Sequence, residues 1–253
     1  MNLNRLLPLL IPLLVFLLEE VYFFYPRLIY LIVVLAILLI FFALWQLTRL
    51  STVDKSWWNY LILPALMTGA LIAYTVFLSS QTLIQLLLIF NLVFLYVYLR
   101  HVYYYLLNPL AYEVFSIENL SSYINFLTFF FLAAVAYGLQ SFLNVQITAL
   151  ALIMLVSAVL AVYQIIWANK IDLKTAWPFI LVSCLLLVEL FWSISFLPFN
   201  YNISGFCLAV SYYLIIGLVK NYLLDKLDAK KVRMYLALGL ISLFLVLLTA
   251  KWL

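Results

Sequence analysis

Glu189 is the residue in this sequence best placed to do chemistry. It is the one charge in the apolar run from Ala176 to Leu197. It lies twelve residues past Trp177, which is about 18 Å along a helix at about 1.5 Å per residue. That depth puts it beyond the midplane of a membrane span. An ionised acid at the centre of such a span costs about 2.5–3.5 kcal/mol, so it is expected to face a helix bundle or a wet cavity. Ser193, one turn on, shares its face, and Trp192 lies beside it. A carboxyl group in that setting can relay a proton, coordinate a cation or anchor a substrate. It can equally be a structural acid paired near the outer surface, with Arg27 and Lys251 as its natural cationic partners.

Other ionisable residues offer less. Glu19 and Glu20 sit at the expected outer end of a first span, where a solvated helix end explains them better than an acidic vestibule shared with Glu189. His101 is the single histidine. It could act as a base near neutrality, but beside Arg100 and ahead of Tyr103, Tyr104 and Tyr105 it reads as part of an interfacial aromatic belt. The inner basic residues could engage lipid phosphates, although the ordinary charge bias of membrane proteins already explains them. Cys184 and Cys207 lie in apolar runs, form no C-x-x-C pair and read as buried small hydrophobes. Metal, nucleotide and nucleophile motifs are absent from the sequence. No cofactor or metal is implied, and the residues argue against an enzyme.

The elements that must position these residues are membrane helices. Of the 253 residues, 70% are hydrophobic and 9% charged, against about 25% charged in an ordinary soluble domain. A soluble fold of this length would leave much of that apolar surface facing water. The long continuous apolar runs also exclude a β-barrel, whose strands alternate. The net charge of +4 comes from basic residues scattered along the chain, which is no footprint for nucleic acid.

A span needs about twenty apolar residues, and charges mark where spans stop. The segment 6–18 is short and reads as an uncleaved first helix. Further spans are expected at Leu28–Leu47, Trp57–Leu78, Thr82–Leu99 with an extension toward Leu107, Tyr123–Leu143, Ile147–Trp167, Ala176–Leu197, Ile203–Val219 and Val232–Thr249. Residues 110–121 are expected at the interface. The sequence therefore predicts an all-α polytopic transmembrane helix bundle of about nine spans, forming a single integral membrane domain over 1–253.

Of the thirteen Lys and Arg residues, eleven fall on one side of this arrangement. The positive-inside rule then puts the N-terminus in the cytoplasm and the C-terminus outside the cell or inner membrane. Two loops also echo each other. Trp45-Gln46 followed by Val53-Asp54-Lys55-Ser56-Trp57-Trp58 resembles Tyr163-Gln164 followed by Ile171-Asp172-Leu173-Lys174-Thr175-Ala176-Trp177, and Tyr105-Leu106-Leu107-Asn108 resembles Tyr222-Leu223-Leu224-Asp225. A duplication would give one leading helix plus two parallel four-helix repeats, over 27–122 and 146–253. Chance similarity between two aromatic interfacial loops is the alternative.

Three functions compete. A small transporter or permease rests on span number, the repeats and Glu189. An accessory or structural subunit suits spans this apolar. An enzyme acting on a lipid-linked substrate comes third. The expected partners are membrane lipids and other membrane protein subunits, with no nucleic acid.

Overall fold

The computed structural model describes residues 3–51, 55–113 and 116–249. Among them the chain forms nine α-helices: α1 Leu3–Phe24, α2 Ile29–Arg49, α3 Trp57–Thr75, α4 Gln81–Leu107, α5 Ser116–Leu143, α6 Ile147–Ala168, α7 Leu173–Ile194, α8 Tyr201–Leu223 and α9 Ala229–Thr249. The described residues contain no strand. Seven helices, α1, α2 and α4 to α8, are long and apolar enough to cross a membrane. They mark the protein as a membrane-embedded helical bundle. The helix α3 falls short of that threshold, because Trp57, Trp58 and Asn59 open it.

Two expected helix boundaries need correction. The first helix does not stop at residue 18: α1 runs on to Phe24 and carries Glu19 and Glu20 inside it. Residues Leu18 and Tyr22 pack with Ile29, Ile32, Val33 and Ile72, so the apolar contacts resume after the acidic pair. The helix α5 begins at Ser116, well before Tyr123, so part of the segment expected at the interface is helical. Its Glu118 lies in the first turn, where a carboxylate favours the positive end of the helix dipole.

The chain divides into two compact units, Met1–Ile124 and Asn125–Leu253. The division falls inside α5. The echo of Trp45-Gln46 in Tyr163-Gln164 pairs α2 with α6, and that of Tyr105 in Tyr222 pairs α4 with α8, wherever the units are cut. Val53 and Asp54, from the first loop, lie outside the described residues.

In the first unit each helix packs against the next, and α1 closes the ring against α4. The faces follow helical periodicity. On α2, Ile32, Ala36, Ile40, Ala43, Leu44 and Leu47 are buried, while Leu31, Val34, Leu38 and Phe42 are exposed. Side chains three and four apart share a face, so one stripe of α2 meets protein and the other suits lipid. The helix α3 is the most enclosed, burying Tyr60 to Pro64, Met67, Thr68, Ala70 to Ile72, Tyr74 and Thr75.

In the second unit α6 packs on α7, α7 on α8, and α8 on α9. The part of α5 from Asn125 onward reaches the same unit. Its Phe129 ring stacks on Tyr212 of α8 at 4.3 Å, and its Tyr137 hydroxyl donates to the Phe191 carbonyl of α7 at 3.0 Å. Lipid supplies little drive for helices to associate, so small residues that permit close approach carry much of the packing. Gly205 of α8 shows this. A Cβ there would lie 2.8 Å from the Ala134 backbone nitrogen of α5. Ala151, Ala158, Ala161 and Ala168 line the buried face of α6 in the same spirit.

Candidate functional site

Among the described residues Glu19, rather than Glu189, is a fully buried acid within an apolar helix. Glu19 is fully buried in α1, and its Oε1 accepts a hydrogen bond from Asn91 Nδ2 of α4 at 2.6 Å. Asn91 Oδ1 in turn accepts from Thr68 Oγ1 of α3 at 3.3 Å. Three helices of the first unit thus converge on one carboxyl group. The other oxygen, Glu19 Oε2, is buried and has no hydrogen-bond partner. A buried charged group normally acquires partners or gives up its charge, because desolvation without them is costly. The open oxygen is therefore a place for a proton or a bound cation.

Helical register explains the convergence. On α4 the buried residues Leu88, Asn91, Leu95, Tyr98, Val102 and Leu106 recur at spacings of three and four, so Asn91 lies on the apolar stripe itself. Tyr98, two turns on, donates to the Tyr60 carbonyl of α3 at 2.7 Å. Nearer the C-terminal end of α3, the Thr75 hydroxyl gives its proton to the Ile72 carbonyl at 2.6 Å. It therefore accepts from the Tyr22 hydroxyl, 3.1 Å away. Polar contacts thus recur along the enclosed helix α3. Glu20, the next residue after Glu19, is half-buried and accepts from Gln85 Nε2 of α4 at 3.2 Å.

Glu189 occupies a different position from the one expected. It is exposed on α7, as are Ser193 and Trp192. The buried stripe of α7 is Ala176, Ile180, Ser183, Cys184, Leu187 and Phe191. Glu189 is two residues from both Leu187 and Phe191, a rotation of about 200° at 3.6 residues per turn, which turns it away from the unit. Its backbone carbonyl accepts from Ser193 Oγ at 2.8 Å. Arg27 is exposed in the first unit, with Glu19 and Glu20. Lys251 lies outside the described residues.

The second unit holds its own buried polar atoms. Asn125 Nδ2 donates to Gln164 Oε1, leaving Asn125 Oδ1 buried without a partner, as is the Tyr212 hydroxyl. A cleft of about 270 Å³ lies between the ends of α5 and α7 and the start of α8, lined by uncharged polar groups including Gln140, Ser141, Asn144 and Ser195. Among the described residues no three His, Cys, Asp or Glu side chains converge as a metal site would require.

Set against family models, curated proteins and solved structures, the chain finds no match. The site must therefore be judged on its own chemistry.

In the sequence Glu19 reads as a solvated helix end, whereas the structure buries it. The signal that would have found it is the pairing of an acid in one apolar helix with Asn91 and Thr68, polar residues in the middle of two others. In lipid such groups seek each other because nothing else can satisfy them.

Proposed function

We propose that the protein is a membrane carrier of the transporter or permease type, in which Glu19 takes up and releases a proton or small cation. The observation that carries this is the buried Glu19 Oε2, which has no hydrogen-bond partner while Oε1 is held by Asn91. An ionisable residue kept inside a membrane bundle is expensive, and it marks an ion or proton path by default. Asn91 and Thr68 orient the carboxyl group, and Glu20 with Gln85 offers the next polar station.

The test is ion flux into vesicles containing the purified protein under an imposed potassium diffusion potential. Proton entry is followed with an internal pH dye and sodium entry in a parallel assay. Wild-type protein should raise one of these fluxes above protein-free vesicles, and Glu19→Gln should return it to that baseline. A Glu19→Gln variant that conducts like wild type, or wild-type vesicles silent for both ions, would count against the carrier.

One observation favours a second reading, that of a subunit in a membrane complex. Glu189 is exposed on the same side of α7 as Leu181, Val182, Leu185, Leu186 and Trp192. A carboxyl group among apolar residues suits a neighbouring helix that carries a donor. If that reading holds, mild detergent extraction recovers a partner with the wild type and loses it with Glu189→Leu.

A further inference from the structure

The polypeptide turns back on itself at the C-terminal end of α4 and builds a second site there. The residues Asn108 and Pro109 end the helix, and a short 3-10 turn over Pro109–Ala111 reverses the chain. The returning segment is fixed by Tyr112. Its ring packs edge-on against Tyr105 at 5.1 Å. Its hydroxyl accepts from the Ile117 amide at 3.3 Å and contacts Glu118 Oε2 at 3.2 Å. Burial holds the Tyr112 hydroxyl above its ordinary value, so it stays a neutral donor to Glu118. This places Glu113 beside α4.

The result is a cleft of about 370 Å³ lined by Tyr96, Val97, Arg100, His101, Tyr104, Ala111 and Glu113. Arg100 is exposed within it but not loose. Its Nη1 donates to the Tyr96 hydroxyl at 3.0 Å, and its guanidinium lies 5.8 Å from the Tyr96 ring and 5.6 Å from the Tyr104 ring. Tyrosines one turn to either side thus preorganise a planar cation that keeps further N–H donors. His101 adds a second nitrogen. Glu113 supplies the opposite charge, and the tyrosine faces can receive an ammonium group.

A site with one fixed cation and one carboxylate is matched to a ligand carrying both signs. We propose that this cleft binds the headgroup of a zwitterionic, amine-bearing phospholipid, with Arg100 on the phosphate and Glu113 on the amine. Three features favour a lipid over a soluble zwitterion. The cleft lies at the end of a membrane helix, it is open, and its walls combine phenol rings with an apolar Val97. An anionic lipid would satisfy Arg100 through the same phosphate but offer Glu113 no ammonium group. The site is independent of Glu19, so the carrier can fail without affecting it.

The full-length protein is equilibrated with equal amounts of phosphatidylethanolamine and phosphatidylglycerol of matched chains, stripped of loose lipid, and weighed by native mass spectrometry. Wild type should retain phosphatidylethanolamine over phosphatidylglycerol by about fivefold, the ratio set by one favourable ammonium contact. Arg100→Gln should lose retention of both. Glu113→Gln should keep binding but lose the preference. Both residues are exposed, so unchanged unfolding temperatures check that the variants fold. Equal retention of the two lipids by wild type, or a preference that survives Glu113→Gln, overturns the proposal. In a third arm, excess inorganic phosphate and soluble phosphoethanolamine should leave the lipid in place. Displacement by either overturns the lipid in favour of the free anion or the free zwitterion.

Discussion

Asn91 Nδ2 reaches Glu19 Oε1 at 2.6 Å across 72 positions of sequence. The bond ties the first helix of its unit to the fourth, and it does so inside an apolar stripe. Truncating one partner leaves the other buried and unsatisfied, a cost of about 1–3 kcal/mol. Asn91→Leu should therefore lower stability by about that amount, read as a fall in the unfolding midpoint in detergent. The double variant Glu19→Leu with Asn91→Leu should recover most of it, because a buried polar pair replaced by apolar side chains is often neutral or better. Strictly additive losses would mean that the two residues are not coupled.

Two glycines should respond in opposite directions. At Gly205 an added Cβ would meet the Ala134 backbone at 2.8 and 2.9 Å, and backbone cannot step aside as a side-chain tip can. Gly205→Ala should destabilise by about 1–3 kcal/mol through overpacking. At Gly69, in α3, nothing lies within 4 Å of the added carbon. Gly69→Ala should stabilise by up to about 1 kcal/mol through helix propensity. Equal effects of the two substitutions on the melting temperature would contradict the close approach of α5 and α8.

The N-terminus of α7 should be sensitive to acid. Asp172 caps it, accepting from the Thr175 amide at 3.2 Å and the Thr175 hydroxyl at 3.0 Å. These hydrogen bonds hold the Asp172 carboxyl below its ordinary value. A carboxyl lowered in the folded state lends stability above its unfolded value, and the stability is lost as the pH falls through the folded one. Asp172→Ala should thus be slightly less stable than wild type at neutral pH and indistinguishable from it in strong acid. Asp172→Asn should keep much of the cap without the pH dependence. A gap between wild type and Asp172→Ala that persists in acid would rule out the ionised cap.

A reporter fused after Leu253 should behave as extracytoplasmic, and one fused in the loop between α8 and α9 as cytoplasmic. The expectation comes from the eleven of thirteen basic residues on one side, with the positive-inside rule supplying direction. Cytoplasmic activity of the terminal fusion would reverse the orientation or remove a span.

Much of this architecture was legible from charge and length. The stretch from Ser56 to Leu99 has no charge and had to be two helices; they run Trp57–Thr75 and Gln81–Leu107. The start of α6 at Ile147 and the end of α5 at Leu143 were read directly from the polar break at Asn144. The candidate site was not legible, for a reason of geometry. Hydropathy locates an acid along a helix but not around it. Glu19 and Glu189 both interrupt apolar helices, and only the neighbouring stripe decides which faces protein. For α1 the stripe through Leu7, Ile11 and Val15 leads on to Glu19 and Tyr22, but every neighbour of those residues in the expected helix is as apolar as they are, so no face stands out. For α7 the stripe through Cys184, Leu187 and Phe191 was present in the sequence, but Ser183 and Ser193 gave no sign of which side was wet.

The enclosure of α3 has a consequence for how the chain is made. This helix opens with Trp57, Trp58 and Asn59 and carries Pro64, Thr68 and Thr75 among its enclosed residues. A segment of that character has a weak claim on lipid when it first leaves the ribosome. Thr75 finds Tyr22 of α1 already made, but the partners of Thr68 and of the Tyr60 carbonyl arrive later, with Asn91 and Tyr98 of α4. Biogenesis should then hold α3 beside the insertion channel until α4 emerges, and release the two together as a hairpin. Chains halted before Asn91 would leave α3 slipping back toward water, exposed to membrane quality control.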